Sequence, residues 1–338
     1  MTPVYMVENN RIRRQGQRDL SPLFRREHMS KISIVVPVYY NSDTLELLYE
    51  DMKEKILGKI GEYEIVFVDD GSGDNSWEIM NRIRERDDNV KCVKLSRNFG
   101  EHAALLAGLS SCTGDCAVTK QADLQEDSSI ILEMYESWKK GNKVVLAIRK
   151  ERKENKLKVF FANLYYALVR KMVNKNMPSG GCDCYLVDRK VIEVLERLDE
   201  KNSSLTLQVM WVGFKTDMIY FVRQDREVGK SRWTLSKKVK LVADSILSFS
   251  YTPLRLMMGM GILFDLAAVI LFVCVLVEKL TVGTPVEGWA SIMCVLLFGF
   301  GMLMLMLGII GEYIWRALDA SRNRPPFIID EIKENSTK

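Results

Sequence analysis

A short apolar run that ends in two acids occupies residues 64–72 and reads Glu-Ile-Val-Phe-Val-Asp-Asp-Gly-Ser. Four consecutive apolar residues without polar alternation are typical of a strand that is buried on both faces of a sheet. The sequence Asp-Asp-Gly-Ser ends this strand, and a helical pattern follows over about residues 75–86. The segment therefore predicts a strand, a polar loop and a helix, in that order.

The same pattern repeats along the first half of the chain. Strands are predicted at about residues 32–36, 64–68, 90–95, 116–119 and 144–148, and helices at about 44–57, 75–86, 103–110 and 130–139. Strands that alternate with helices of this length predict an α/β fold with a mostly parallel, doubly wound sheet and helices on both faces. Ligands of such sheets bind at the carboxyl ends of the strands, where Asp69, Asp70, Gln121 and Asp123 are expected.

Two long apolar runs near the C-terminus predict membrane-spanning helices. Residues 256–277 contain one charged residue and residues 289–311 contain none, and both runs exceed the roughly 20 residues that cross a bilayer. Basic residues flank the outer ends of the pair, so the positive-inside rule predicts that the large domain and the C-terminal tail are cytoplasmic. Two basic amphipathic helices, predicted over residues 155–173 and 234–252, are typical of a membrane interface.

These patterns divide the chain into five parts. We expect a disordered basic arm over residues 1–29, an α/β domain over 30–233, the second amphipathic helix over 234–252, two spans within 253–314 (about 255–278 and 288–312) and a tail over 315–338. A net charge of +4 is too small to indicate nucleic-acid binding. Seven cysteines, two of them in apolar runs, indicate a reducing compartment rather than a disulfide scaffold.

The acids at the strand ends have no glycine-rich phosphate loop beside them, because neither G-x-G-x-x-G nor G-x-x-x-x-G-K-[ST] occurs in the sequence. A metal ion is another means of neutralising phosphates. Asp123 and Gln125 offer oxygen atoms two residues apart, which in an extended loop places them on the same side. Mg²⁺ or Mn²⁺ binds such oxygens together with substrate phosphates. Ordinary loop acids without a metal are the alternative interpretation of these residues.

Several motifs follow one another in an order and spacing that are specific to one family. They are Val36-Pro37-Val38-Tyr39, Val68-Asp69-Asp70-Gly71-Ser72, Leu95-Ser96-Arg97-Asn98-Phe99-Gly100, Ala122-Asp123-Leu124-Gln125, Gly181-Cys182-Asp183, Asp188-Arg189 and Gly229-Lys230-Ser231-Arg232-Trp233. Over about residues 30–325 the chain resembles family 2 glycosyltransferases of the GT-A fold. Within that family it most resembles the membrane-anchored polyprenyl-phosphate glycosyltransferases, relatives of dolichyl-phosphate mannose synthase.

The resemblance implies an inverting enzyme of the cell membrane. Such an enzyme transfers a sugar from a nucleotide-sugar to a polyprenyl phosphate (undecaprenyl phosphate in bacteria) at the cytoplasmic membrane face. Its cofactor is Mg²⁺ or Mn²⁺, and bacterial relatives often use uridine donors, so a UDP-sugar is the favoured donor. The sequence identifies neither the sugar nor the oligomeric state, and a homo-oligomer is left open.

The resemblance also implies roles for individual residues. The nucleotide-sugar would be bound by Pro37, Tyr39, Asp69, Asp70 and Gln121. The metal would be held by Asp123 and Gln125. The acceptor phosphate would be bound by Arg149, Arg152, Ser231 and Arg232. Asp183 would face the reacting sugar, and the residues expected to carry catalysis are Asp123, Asp183 and Arg149.

Three residues depart from the family pattern. Gln121 stands where the family usually has the first acid of D-A-D, Tyr185 stands where an arginine is common, and Glu101 replaces the common residue after Asn-Phe-Gly. We expect these departures to change sugar specificity rather than to abolish activity. Two alternatives stay open: a polysaccharide-elongating glycosyltransferase, although the Q-x-x-R-W motif of such enzymes is missing, and a membrane-tethered pseudoenzyme that binds nucleotide-sugar.

Overall fold

The computed structural model describes residues 30–335, with gaps at 151–155, 173–174, 176, 179–180, 199–202, 223–241, 243, 251 and 282–287. The predicted basic arm over residues 1–29 lies outside the described residues. So do Arg152, Ser231 and Arg232, and most of the second amphipathic helix. Asp183 is described by its backbone alone.

The nine elements predicted for the first 150 residues are all present. The strands are β1 (Ile32–Val38), β2 (Tyr63–Asp69), β3 (Val90–Leu95), β4 (Cys116–Thr119), β5 (Val144–Arg149), β6 (Cys182–Asp188), β7 (Thr216–Phe221) and β8 (Ile329–Lys333). The helices are α1 (Leu45–Met52), α2 (Ser76–Arg86), α3 (Glu101–Ser111), α4 (Ile130–Lys139), α5 (Lys156–Met172), α6 (Arg189–Arg197), α7 (Leu205–Trp211), α8 (Thr252–Thr281) and α9 (Trp289–Ser321). A π-helical turn, Lys53–Leu57, continues α1.

The eight strands form one sheet in the order β7-β5-β6-β4-β1-β2-β3-β8. The four central strands, in the order β4-β1-β2-β3, are all parallel to one another, and β5 is parallel to β7. Strand β6 is antiparallel to both β4 and β5, and β8 is antiparallel to β3. The predicted α/β fold is confirmed, and the sheet is mixed because β6 and β8, which were not predicted, run against their neighbours.

Two apolar cores lie on the two faces of the sheet. One face packs against α1, α2 and α4, and the other packs against α3, α6 and α7. Strand β1 shows the alternation that serves both cores, because Ile34 and Val36 belong to the first core and Val35 to the second. Both cores exclude water, so polar groups concentrate at the strand ends, where the loops converge.

By length and composition, α8 and α9 are able to cross a membrane. The segment Thr252–Leu271 has a mean hydropathy of 2.0, Phe298–Ser321 has 1.6, and almost none of either is buried within the protein. Most of the exposed large apolar side chains of the described residues lie on these two helices. A surface of that size is unfavourable in water and favourable in lipid.

The end of the chain returns to the sheet after α9. Strand β8 pairs with the edge strand β3, and Phe327 and Ile329 pack against the second core. The ammonium group of Lys91 lies 2.8 Å from a carboxylate oxygen of Glu334. The tail predicted over residues 315–338 thus contains the end of α9 and a strand of the sheet. The C-terminal end of α9 therefore lies on the same side of any membrane as the sheet.

Candidate active site

Most of the predicted site residues meet at one edge of the sheet. The carboxyl ends of β1, β2, β4 and β5 lie there, and antiparallel pairing brings the amino end of β6 to the same edge. The residues placed there are Pro37, Tyr39, Asp69, Asp70, Gln121, Asp123, Gln125, Arg149 and the backbone of Asp183. The fold thus brings together residues as far apart in the chain as Pro37 and Asp183, which are separated by 146 positions.

Asp69 is fully buried at the end of β2. The backbone N–H of Ser72 donates a hydrogen bond to Asp69 Oδ1 over 3.0 Å, and burial raises the pKa of this carboxyl group. Asp69 Oδ2 is also buried, and no described residue donates a hydrogen bond to it. A buried carboxylate oxygen without a donor is costly. The N–H group of a ligand would satisfy this oxygen.

Asp70 holds the loop that follows β3. The backbone N–H of Phe99 donates to its Oδ1 over 2.7 Å, and that of Gly100 donates to its Oδ2 over 2.9 Å. Burial raises the pKa of Asp70 to about 6. Gly71 follows with a φ of +69°, and its Cα lies so close to this loop that a Cβ would sit 2.7 Å from backbone atoms of Arg97 and Asn98. The loops after β2 and β3 are therefore packed backbone to backbone.

The loop after β1 carries two aromatic rings. The Tyr39 and Tyr40 rings meet edge to face with centroids 4.8 Å apart. Tyr40 has a φ of +55°, which is rare for a bulky residue. The hydroxyl of Ser72 accepts a hydrogen bond from the Tyr40 backbone N–H over 3.0 Å and so connects the loops after β1 and β2. Such strain is typical of functional loops that the surrounding structure holds in place.

The loop after β4 contains the predicted metal ligands. Asp123 Oδ1 accepts a hydrogen bond from the Gln125 backbone N–H over 3.3 Å, and the residue between them, Leu124, has a φ of +56°. The loop is closed by Lys120, whose buried ammonium group donates to the backbone carbonyl of Glu126. No group of three or more His, Cys, Asp or Glu side chains suited to a metal occurs among the described residues. The oxygens of one carboxylate and one amide fit Mg²⁺ or Mn²⁺, which take few protein ligands beside substrate phosphates.

Arg149 and Asp183 lie across the edge from this loop. Arg149 is the last residue of β5 and is half-buried. Opposite it, the pairing of β5 with β6 shifts, since Ala147 pairs with Cys184 and Ile148 pairs with Cys182. Asp183 is the extra residue at this irregularity. Bulges of this kind occur often beside active sites, where they redirect a side chain.

Comparisons with known proteins identify the family. The model of glycosyl transferase family 2 matches residues 33–196. An uncharacterized glycosyltransferase of Bacillus subtilis is 39% identical over 300 residues, which cover 88% of this chain and 93% of that protein. The chain belongs to glycosyltransferase family 2. The prediction of a glycosyltransferase of this family is thereby confirmed.

Further relatives of this glycosyltransferase carry more specific names. A prophage bactoprenol glucosyl transferase homolog of Escherichia coli is 33% identical over 305 residues, which cover 90% of this chain and 100% of that protein. The bactoprenol glucosyl transferase of Shigella phage SfV matches at the same identity, over 90% of this chain and 99% of that protein. A solved structure, glucosyl-3-phosphoglycerate synthase from Mycobacterium tuberculosis, covers 64% of this chain and 78% of that chain at 16% identity. Its TM-score of 0.43 is too low to carry an argument about function.

Two of the three departures from the family pattern are in direct contact. The side-chain amide of Gln121 donates a hydrogen bond to Glu101 Oε1 over 2.7 Å. The third departure, Tyr185, is buried with a hydroxyl that has no hydrogen-bond partner among the described residues. All three residues are visible in the sequence as departures from the family pattern, but their relation, and the place of Glu101 in the site, are visible only in the structure. Twenty positions separate Glu101 from Gln121, so their spacing alone gives no sign of the contact.

Proposed function

We propose that this glycosyltransferase moves a sugar from a nucleotide-sugar to a polyprenyl phosphate at the cytoplasmic face of the membrane, with inversion at the anomeric carbon. The observation that carries the proposal is the match to relatives named bactoprenol glucosyl transferase, which covers 90% of this chain and almost all of each relative. Similarity over nearly the whole length of both proteins supports a shared class of acceptor. The names of those relatives favour glucose as the sugar.

The donor base would bind against Asp69. The Oδ2 atom of Asp69 needs a hydrogen bond from an N–H group, and the N3–H group of uracil would supply one. Tyr39 follows β1 and offers a ring surface, and Pro37 is the second-last residue of that strand. We therefore propose a UDP-sugar as the donor, with Asp70 holding the neighbouring loop rather than contacting the base.

The diphosphate would lie over the loop after β4. Asp123 and Gln125 would hold Mg²⁺ or Mn²⁺, which when bound supplies positive charge to the departing diphosphate. The oxygen donors and the tight loop that presents them support this assignment. The closure of the loop by Lys120 keeps these side chains in position before the donor arrives, so little reorganisation is needed during the reaction.

The acceptor phosphate is already an anion at neutral pH, so the reaction needs no strong general base. A phosphate oxygen forms the new bond to the anomeric carbon as the bond from that carbon to the diphosphate oxygen breaks, and the nucleoside diphosphate leaves with the electron pair. Arg149 would hold the acceptor phosphate through charge-assisted hydrogen bonds, with Arg152, Ser231 and Arg232 as further candidates. Asp183 would face the sugar from the opposite strand.

The proposed position at the membrane is supported by α8, α9 and their contacts. The guanidinium group of Arg316, near the end of α9, lies 2.6 Å from a carboxylate oxygen of Asp244, and the Tyr313 hydroxyl donates to the Ser250 carbonyl over 2.9 Å. The segment over residues 244–250 contacts α5, where the hydroxyls of Tyr165 and Ser245 lie 3.0 Å apart. These contacts, together with the basic flanks of the spans, support a catalytic domain seated on the cytoplasmic face.

A reconstituted assay tests the proposal. The purified full chain is incubated in nanodiscs with undecaprenyl phosphate, Mg²⁺ or Mn²⁺ and one of several donors (UDP-glucose, UDP-galactose, UDP-N-acetylglucosamine, GDP-mannose). Mass spectrometry should detect a lipid phosphate that carries one hexose. Asp123→Asn should abolish the product and leave the thermal midpoint unchanged, because this residue lies in a loop at the edge of the sheet.

The outcomes distinguish the alternatives. A polymer attached to the acceptor would indicate a polysaccharide-elongating enzyme. Tight nucleotide binding without a product from any donor would indicate a pseudoenzyme. Activity of Asp123→Asn equal to that of the wild type would exclude the metal role of Asp123 and leave the transfer reaction standing.

A further inference from the structure

We propose that Glu101 is a positioning residue for glycosyl transfer. Through its hydrogen bond to Gln121 it fixes the amide of that residue and supplies the donor site with the negative charge that Gln121 lacks. This inference rests on the proposed function, since it concerns the same nucleotide-diphosphate site. It makes positions 101 and 121 one unit in which only one of the two residues carries a charge.

The geometry of the pair determines which amide atom faces which way. Glu101 is the first residue of α3, and Gln121 follows β4. An ionised carboxylate accepts hydrogen bonds and cannot donate them. The nitrogen of the Gln121 amide must therefore point at Glu101, as it does over 2.7 Å. The amide oxygen then points away from Glu101 and is the acceptor that Gln121 can offer to a donor hydroxyl or to the metal.

Glu101 stands at the N-terminal end of α3. The N-terminus of a helix carries a partial positive charge, which favours a carboxylate at the first residue of α3. No ion pair to Glu101 is found in the part of the chain that the structure describes. An anion that is not neutralised by a cation acts on its surroundings, and its hydrogen bond to the amide polarises the Gln121 oxygen toward greater negative charge.

Tyr185 leaves this charge in place. Burial holds the pKa of Tyr185 well above its ordinary value, and the carboxylate of Glu101 is among the groups that raise it further. The phenol is therefore neutral at physiological pH. A cation at position 185 could pair with Glu101 and remove its charge from the site, whereas the neutral tyrosine does not. The three departures from the family pattern thus place one negative charge, that of Glu101, beside two neutral side chains, those of Gln121 and Tyr185.

The same geometry predicts what an acid at position 121 would do. A carboxylate there would face that of Glu101 at hydrogen-bond distance, and the two like charges would repel each other. The loop that carries Asp123 lies two residues further on, so the repulsion would disturb the metal ligands. Reversing the pair, with the amide at position 101 and the acid at position 121, restores both the hydrogen bond and the net charge.

A double-mutant cycle tests the pair in the full-length protein. The variants are Glu101→Gln, Gln121→Glu and the combination of both, and the control is Glu193→Gln, which removes one charge from an exposed position on α6. The first readout is Mn²⁺-dependent binding of UDP and of GDP by calorimetry, without acceptor. The second readout is the metal concentration that gives half-maximal turnover, and the third is the thermal midpoint.

We expect each single variant to weaken metal-dependent nucleotide binding by about 10- to 100-fold, the usual effect of removing a residue that orients a metal site. The double variant should bind nearly as well as the wild type, and Glu193→Gln should bind identically to it. The thermal midpoints of Glu101→Gln, the double variant and Glu193→Gln should agree with that of the wild type, whereas the repulsion of like charges should lower the midpoint of the single variant at position 121. A purely structural contact would instead lower the midpoint and leave nucleotide binding unchanged.

Two results would overturn the inference. One is a Glu101→Gln variant with wild-type metal-dependent binding, and the other is a double variant whose loss equals the combined losses of the single variants. If the coupling is found but no sugar reaches undecaprenyl phosphate, the proposed function fails and the inference about the nucleotide site stands. If the wild type binds neither nucleotide in the presence of Mn²⁺, both fail.

Discussion

Replacing Gly71 with alanine measures how closely the loops after β2 and β3 are packed. The φ of Gly71 is +69°, and a Cβ there would lie 2.7 Å from the carbonyl carbon of Arg97 and the backbone nitrogen of Asn98. A left-handed conformation costs a non-glycine residue about 1–2 kcal/mol, and overpacking adds about 1–3 kcal/mol. The expected loss in the free energy of unfolding is therefore about 2–5 kcal/mol.

Two other glycines separate these contributions. Gly141 has a φ of +92° with no atom within 4 Å of its Cβ position, and Gly58 has a φ of −75° with equally open space. Gly141→Ala should lose only the conformational part, about 1–2 kcal/mol. Gly58→Ala should be neutral or stabilising by up to about 1 kcal/mol. Both lie outside the candidate active site.

The assay combines thermal unfolding in detergent with calorimetry of UDP binding. Displacement of Arg97 and Asn98 would pull the N–H groups of Phe99 and Gly100 from Asp70. Nucleotide affinity should therefore fall in Gly71→Ala and stay at the wild-type level in the two controls. Equal losses of stability in Gly71→Ala and Gly141→Ala, with unchanged UDP affinity in both, would refute the close packing of the two loops.

Three further predictions concern single carboxyl groups, and a fourth concerns strand β8. Asp69→Asn should weaken UDP binding, because an amide offers the buried site one acceptor oxygen in place of two; equal affinity would place the base elsewhere. Burial alone would raise the pKa of Glu64, but hydrogen bonds from Ser33 and Thr113 hold it below its ordinary value, so the stability that it contributes is lost as the pH falls below about 4.5. In a pH series of thermal midpoints, Glu64→Gln should therefore reduce the loss of stability at low pH. The raised pKa of Asp70 has the opposite effect, because stability falls as the pH rises through about 6, and Asp70→Asn should reduce that fall. Deletion of residues 327–338 should expose the edge of β3 and cause aggregation on size-exclusion chromatography, whereas deletion of residues 336–338 should not.

The strands that the sequence predicted share one physical property. β1 to β5 are buried almost throughout, so their apolar runs are visible without knowledge of the fold. Strand β8 has the sequence Ile-Asp-Glu-Ile-Lys and is half exposed at the edge of the sheet. Its strand conformation comes from pairing with β3, more than 230 residues earlier in the chain. Tertiary pairing of that kind overrides local pattern, and the sequence carries no local signal for it.

The candidate site likewise contains residues that the sequence predicts and a contact that it does not. Asp69, Asp70, Gln121 and Asp123 follow apolar strands, and that position predicted their common edge before the structure showed it. The contact between Glu101 and Gln121 depends on how far α3 and the loop after β4 approach each other across the edge. Neither composition nor spacing measures that distance. Motifs therefore locate the site, and packing decides which of its members act together.

The two ends of the pair of apolar helices, α8 and α9, attach to the α/β domain at separate places. Before α8, residues 244–250 contact α5 through the hydroxyls of Tyr165 and Ser245. After α9, strand β8 joins the edge of the sheet beside β3. Attachment at two places restricts the rotation of a domain relative to such helices more than a single linker does. The acceptor phosphate of the proposed reaction would lie at the membrane surface and could not move up to the enzyme. A catalytic edge held at constant depth would therefore remove part of the orientational cost of that reaction.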